Sequence, residues 1–346
     1  MFTTHTPVES GHDRFPYDLV EFALPDFMEL DQLRLLGGRD AFNMTRLALN
    51  LSGYVNGVAE RHAEISRRLF PGYRIHAITN GVDAATWTCP SFGRLYQAQI
   101  PNWRHEPELL VRADRLPDDS LWSAHQEAKR DLLGEIERRT GLKMSLKVPL
   151  IAAARRMTGY KRPELLFSDR ERLLAIHQRH PFQVVLAGKA HPSDETGKRA
   201  IEQIHRHIEE LSGILPVAFL PNYEMGLARY LVAGADLWLN TPLPPLEACG
   251  TSGMKAALNG VLNLSVPDGW WQEALIEDET GWAIGDGQSQ GADGNAAVLY
   301  DKLEQKVLPM YYRDHANWDR MMRESISKLA YYFNSHRMMR RYAAEA

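Results

Sequence analysis

At 346 residues the chain can hold two domains or one large α/β domain, and its 44% hydrophobic and 24% charged residues suit an ordinary soluble globular protein. A formal net charge of −4 with no basic run leaves no electrostatic footprint for nucleic acid or a membrane surface. Two cysteines (Cys89, Cys249) argue against a disulfide framework, no His/Cys spacing suggests zinc, and there is no secretory segment or apolar run of about 18 residues, so a cytoplasmic protein without a metal site is expected.

The opening segment, Phe2 to Phe15, holds turn formers and two histidines, His5 and His12, which by residue type alone read as loop histidines. From Asp40 to Phe70 the spacing predicts helix: Met44, Leu47, Ala48, Leu51, Tyr54, Val55 and Val58 recur at three- and four-residue steps. Gly53 and Gly57 would each cost ~1 kcal/mol against alanine in such a run, so close packing is the expected reason for both. His62 is expected to be structural, partly buried against neighbouring backbone. Pro71-Gly72 stops the run, Arg74 to Ile78 alternates as a short strand, and Thr79-Asn-Gly-Val82 turns out of it. Residues 88–117, with Pro90, Pro101, Pro107 and Pro117, read as a connecting region. An amphipathic helix through Leu121, Ala124, Ala128, Leu132 and Ile136 then ends at Thr140-Gly141, and a domain boundary is placed near its start.

Val148 to Ala154 is a compact apolar strand, followed by Arg155-Arg-Met-Thr-Gly-Tyr-Lys-Arg-Pro163, read as opening a helix. The C-terminal end of a buried strand is where open α/β sheets bind ligands, and burying four cations there without an anion would be costly. A phosphate group is the economical partner. Strand and helix keep alternating: strand Phe182 to Ala187, helix Asp194 to Leu211, strand Val217 to Leu220, then a helix from Met225 through Val232. This pattern predicts a doubly wound parallel sheet. Lys189, at a strand end, reads as a capping surface lysine.

Ala235 to Asn240 reads as a buried strand end, and Met254 to Leu258 as a helix closed by Asn259-Gly260. The Gly250-Thr251-Ser252-Gly253 turn then presents backbone N–H groups at a helix N-terminus, which attract an anion such as phosphate. Lys255 falls in that first turn, where the helix dipole disfavours a cation and lowers its pKa, as an amine nucleophile toward an aldehyde requires. Without further context the stretch also suits a plain surface lysine. Residues 288–295 read as a mobile loop, and helices are expected over Ala296 to Leu308 and Trp318 to Tyr342.

The wording Glu247-Ala-Cys-Gly-Thr-Ser-Gly-Met-Lys255, continued by Ala-Ala-Leu-Asn-Gly and Asp268-Gly-Trp-Trp271, resembles the pyridoxal-phosphate lysine motif of the α-glucan (glycogen, starch, maltodextrin) phosphorylases. Thr-Thr-His-Thr-Pro at the start, Asn56-Gly-Val-Ala, and Arg156-x-x-x-Tyr160-Lys161-Arg162 resemble other segments of that family, in its short bacterial branch. The resemblance implies a GT-B-like fold in which Lys255 carries pyridoxal 5′-phosphate covalently, with Thr251, Ser252, Tyr223, Arg155 and Trp87 around the cofactor. By type, Trp87 suits core packing equally well. Arg156 and Lys161 would hold the substrate phosphate, Glu247 and Asn80 would contact glucose hydroxyls, and His5 would line the glucose pocket. Cys249 stands where the family commonly has serine, and Leu243-Pro244 where this branch has two arginines.

The resemblance covers the whole chain but only the C-terminal half of the family. It implies a remnant of the N-terminal lobe with a connecting region over 1–117, a Rossmann-like cofactor domain over 118–325, and a crossover helix over 326–346. That helix's apolar face (Ile326, Leu329, Phe333, Met338) is expected to lack part of its cover. The implied activity is α-1,4-glucan phosphorylase, transferring glucosyl to inorganic phosphate with retention to give glucose 1-phosphate. Implied partners are the glucan, inorganic phosphate, and either a second copy or a complementing N-terminal half. Two other readings stand beside it: an inactive fragment that keeps cofactor or glucan binding, and a GT-B sugar-nucleotide glucosyltransferase, which needs no lysine cofactor.

Overall fold

The structure, a computed structural model, describes residues 1–25, 29–287 and 292–345. Five short strands come first: β1 (Phe2–Thr3), β2 (Arg14–Phe15), β3 (Phe42–Asn43), β4 (Val55–Gly57) and β5 (His76–Ala77). The first, fourth and fifth form a small parallel sheet in the order β1-β4-β5, while β2 and β3 pair antiparallel. The single helix expected over 40–70 is therefore two, Met44–Leu51 and Glu60–Leu69, divided by β4. A three-residue buried strand leaves apolar residues at spacings that also fit a helix, so periodicity could not separate the two. Gly57 does have a packing reason: a Cβ there would lie 2.9 Å from the Ala63 nitrogen. Gly53 has none, since nothing lies within 4 Å of its Cβ position.

Residues 88–117 are not a loose connection. They form the helix Pro90–Gln99 and the 3-10 segment Pro107–Arg115, with Phe92, Tyr96, Trp103 and Leu110 fully buried. Pro90 and Pro107 start these elements instead of breaking them, as proline does at a first helical position. The next helix, Asp118–Thr140, ends as expected at Gly141, whose φ of 73° is left-handed.

The main sheet has six parallel strands: β6 (Leu150–Arg156), β7 (Gln183–Lys189), β8 (Val217–Leu220), β9 (Leu237–Asn240), β10 (Leu262–Ser265) and β11 (Gly281–Ala283). Their order is β11-β10-β9-β6-β7-β8. The chain steps outward from β6 to β8, then returns to the other side of β6 and steps outward again. The carboxyl ends of β6 and β9 thus flank the point where the winding reverses, the usual place for a ligand crevice in such sheets. Both β6 and β7 are buried for six residues and end in an exposed cation, Arg156 and Lys189, which lie side by side in register. After β6 the chain makes two 3-10 turns, Gly159–Lys161 and Leu165–Phe167, with Arg162 left-handed at φ 44°, where a helix was expected.

Residues 288–291, the first half of the expected mobile loop, lie outside the described residues. The helix expected from Ala296 begins earlier, as Ala292–Lys302. The last expected helix is broken after residue 330 and resumes as Ser335–Glu345. Val82 causes the break: its N–H donates to the Phe333 carbonyl at 3.0 Å and its carbonyl accepts from the Ser335 N–H at 3.0 Å. Ile326, Leu329 and Phe333 are buried, and the turn that carries Ile326 and Leu329 packs on the Pro107–Arg115 segment, so those three have their cover, while Met338 is only half-buried.

Candidate active site at the strand reversal

Two of the four cations after β6 are satisfied by the protein itself. Arg155 is 7% exposed; its Nη1 donates to the Lys161 carbonyl at 2.7 Å and its Nη2 to the Leu239 carbonyl at 2.6 Å. Arg162 donates from Nε to the Thr241 carbonyl at 2.9 Å and from Nη2 to the Pro242 carbonyl at 2.7 Å. Together they stitch the loop after β6 to the loop after β9, and burial pulls Arg155 down to about 10 and Arg162 below its usual range. The expectation that all four cations need an anion is corrected: main-chain carbonyls near 2.7 Å serve two of them. Arg155 keeps one buried atom without a partner among the described residues, its Nε.

Lys161 Nζ is paired with Oε2 of Glu247, each side chain retaining about a sixth of its exposure. The pair lines a pocket shared with Arg155, Ser252, Cys249 and Asp268. Asp268 is 2% exposed, accepting the Glu247 N–H on Oδ2 at 2.8 Å and the Gly269 N–H on Oδ1 at 2.9 Å. Burial pushes it up to about 6, and those two N–H donors only partly offset the rise. The next glycine is required: at φ 55° a Gly269 Cβ would sit 2.4 Å from the Cys249 carbonyl oxygen. Burial, with the Glu273 and Glu247 carboxylates nearby, drives the Cys249 thiol well above its usual range.

The lysine helix is Thr251–Ala257, entered through Gly250 at φ 85°. Lys255 lies in its last turn, not its first, so the dipole does not act as expected. Its pKa is lowered all the same, through burial alone. The Nζ stands 3.8 Å from the centroid of the Trp87 ring and pairs with no carboxylate among the described residues. Ser252 Oγ accepts from the Trp238 indole N–H at 3.1 Å, and Thr251 opens the helix, half-buried. Tyr223 sits close enough to Arg155 to feel its charge, and burial pushes its phenol up to about 12.

The described residues contain no group of three or more His, Cys, Asp and Glu side chains placed to hold a metal ion, and no helix long and apolar enough to cross a membrane. A family profile described as carbohydrate phosphorylase matches residues 6–281. The chain belongs to the carbohydrate phosphorylase family. It is 40% identical to the maltodextrin phosphorylase of Thermococcus litoralis, over 99% of this chain and 45% of that protein. It is 38% identical to the glycogen phosphorylase of Aquifex aeolicus (99% and 56%) and 36% identical to that of Mycobacterium tuberculosis (99% and 46%). The chain thus spans about half the length of these relatives.

Within this phosphorylase-family chain, Arg155, Lys161, Glu247 and Ser252 line one pocket, while Trp87 and Lys255 form a second group, Lys255 lying three residues along the same helix from Ser252. Asn80 reaches the pocket's edge, its main chain and side chain both facing the Cys249 thiol. Arg156 and His5 are not among the lining residues: Arg156 is exposed beside Lys189, and His5 is exposed close to the buried His62 ring. Sequence reasoning missed four side chains that hold these parts in place. Asn259, read only as a helix stop, donates to the carbonyls of Trp87 and Lys255, both at 2.9 Å, and accepts from the Cys89 N–H at 2.8 Å. Arg337 donates to the Thr79 and Asn80 carbonyls at 2.8 and 3.0 Å, and Glu273 accepts from the Thr79 hydroxyl at 2.7 Å. Asp268 is the fourth, noticed in the sequence only for its place in a motif.

Proposed function

We propose that the chain carries the phosphate- and cofactor-facing wall of an α-1,4-glucan phosphorylase of GT-B type, moving a glucosyl group from a glucan end to inorganic phosphate with retention to give glucose 1-phosphate. The observation that carries this reading is the Lys255 amine: partly buried, facing an indole, paired with no carboxylate among the described residues, and on the same helix as Ser252 of the Lys161–Glu247 pocket. An amine so placed suits covalent attachment of an aldehyde cofactor. Lys255 would hold pyridoxal 5′-phosphate with Trp87 against its ring, Thr251, Ser252 and Tyr223 around it, and the unpartnered Arg155 Nε as the donor left for an anion. When bound, that cofactor supplies a phosphate group able to pass a proton.

In this reading Lys161, with Arg156 at the rim, binds inorganic phosphate, Glu247 and Asn80 meet the glucose hydroxyls, and His5 borders the sugar. Residues 118–325 form the cofactor lobe, 1–117 a piece of the opposing lobe with its connection, and 326–346 the crossover helix. Protein completing the cleft, a second copy or a complementing N-terminal half, belongs to the same proposal, as does residence in the cytoplasm. The second reading is cofactor or glucan binding without turnover.

The deciding experiment incubates the chain with pyridoxal 5′-phosphate, reduces it with borohydride and maps the modified peptide, then assays maltodextrin phosphorolysis. Label on Lys255 with glucose 1-phosphate formed supports the first reading, and label without product supports the second. Folded protein without label at Lys255 overturns the cofactor assignment.

A further inference from the structure

The Lys161–Glu247 pair joins two groups to which the proposed function gives different ligands. Both main chains are fixed. The Lys161 carbonyl accepts from Arg155 Nη1 at 2.7 Å and from the Thr241 hydroxyl at 3.1 Å, and its N–H donates to the Thr158 carbonyl at 3.0 Å. The Glu247 N–H is held by the buried Asp268 carboxylate at 2.8 Å. Only the side chains are free to move, and both retain some exposure. Lys161 is therefore the pocket's partly exposed cation, both Arg155 Nη atoms being committed to carbonyls and only its buried Nε left, and the Glu247 carboxylate already covers Lys161.

We propose that Glu247 acts as an internal anion on Lys161, so that phosphate must displace its carboxylate and thereby frees it to accept sugar hydroxyls. The identity of the two ligands rests on the phosphorylase reading above. An incoming phosphate dianion competes for the same ammonium and is repelled by the carboxylate it displaces, with Asp268 as a second carboxylate in the wall. Phosphate weakens the hold of Lys161 on Glu247, and a sugar hydrogen-bonded to Glu247 weakens it equally. The two ligands are therefore positively coupled, and by linkage each strengthens the other by the same factor. Specificity follows too: a neutral ligand at Lys161 could not release Glu247.

The test titrates inorganic phosphate calorimetrically into wild-type chain, Glu247→Gln and Lys161→Met, and titrates a maltooligosaccharide into wild-type chain with and without saturating phosphate. Glu247→Gln should bind phosphate about fivefold or more tightly, and phosphate should raise wild-type oligosaccharide affinity by a similar factor. If Lys161→Met abolishes phosphate binding while Glu247→Gln leaves it unchanged or weaker, the stand-in role is overturned and the phosphate site survives. Independent oligosaccharide and phosphate binding in the wild-type chain overturns it without relying on any variant. Phosphate bound by neither wild type nor Glu247→Gln, or bound unchanged by Lys161→Met, removes the phosphate site itself and the inference with it.

Discussion

Strands β6 and β9 carry buried charge at both ends, and the two ends are built oppositely. At the amino ends Asp236 is fully enclosed: Lys129 Nζ lies 2.6 Å from Oδ2, His125 Nε2 lies 2.9 Å from Oδ1, and the Leu150 N–H donates to Oδ2 at 2.7 Å. Lys129 is itself saturated, donating also to the Val148 carbonyl at 2.8 Å. At the carboxyl ends the partnering stays open: among the described residues Arg155 Nε has no partner and Lys255 no carboxylate, and Lys161 and Glu247 are partly exposed. The same pair of strands thus uses charge as a clamp at one end and as receptive chemistry at the other. The clamp has a gap of its own, the buried His125 Nδ1, which finds no partner among the described residues; what separates the two uses is the full partnering of Asp236 and Lys129.

Breaking the clamp should give the largest stability effect. Lys129→Met leaves Asp236 as an uncompensated buried carboxylate and is expected to cost about 3–5 kcal/mol, read as a lower denaturant midpoint with an unchanged slope. A loss within about 0.5 kcal/mol would mean that the clamp is not structural, and the contrast between the two ends would fail.

Asp268 sharpens the comparison through pH. Its native pKa, pushed up to about 6 by burial, lies above the ordinary carboxylate range, so the folded chain holds this proton more tightly than the unfolded chain does. The resulting stability is complete below pH 4 and is lost as pH rises through 6, an effect on the order of 2–3 kcal/mol. Other carboxylates titrate in the same range, so the quantity to measure is the stability difference between wild type and Asp268→Asn. It should favour wild type more at pH 4 than at pH 7; a pH-independent difference would show that Asp268 keeps an ordinary carboxylate pKa.

Arg337 gives the next smaller effect. Replacing it with Met strips donors from the Thr79 and Asn80 carbonyls, at an expected cost of about 1–2 kcal/mol, and loosens the turn that covers Cys249. The Cys249 thiol, 3% exposed, should then react faster with a thiol reagent under native conditions. An unchanged rate would place the Asn80 contact elsewhere.

What could be read from the chain follows the same division. Val217–Leu220 agrees residue for residue with its strand, and the helix through Leu121 and Ile136 ends at Thr140 as expected, because a continuous apolar run or an i, i+4 stripe closed by a turn residue has one solution. Residues 55–57 did not, since a strand that short shares its spacing with a helix, and residues 90–115 were hidden by prolines that begin elements. In the site, residue type revealed where cations cluster but not which acceptor each would find. Arg155 and Arg162 found carbonyls across a loop some 80 residues on, and no local pattern encodes that. Asp268 escaped for the same reason, its partner Glu247 lying 21 positions away.

Lys255 shows a correct chemical expectation reached through the wrong term, and it supplies the smallest stability effect. A dipole at the helix start would have lowered its pKa by charge; the structure lowers it by burial, with the Trp87 face as compensation. A lysine whose folded pKa is depressed costs stability at neutral pH, and the cost fades as pH rises toward the value of the unfolded chain. The cation–π contact offsets about 0.5–2 kcal/mol of it. Lys255→Met, which keeps the apolar stem and removes the charge, should therefore change stability at pH 7 by no more than about 1 kcal/mol while abolishing pyridoxyl labelling at that position. Equilibrium unfolding and peptide mapping on the same preparation check both halves. A loss of several kcal/mol would make Lys255 a member of the clamp's class after all, because a structural charge is missed by the fold and a receptive one is missed only by its ligand.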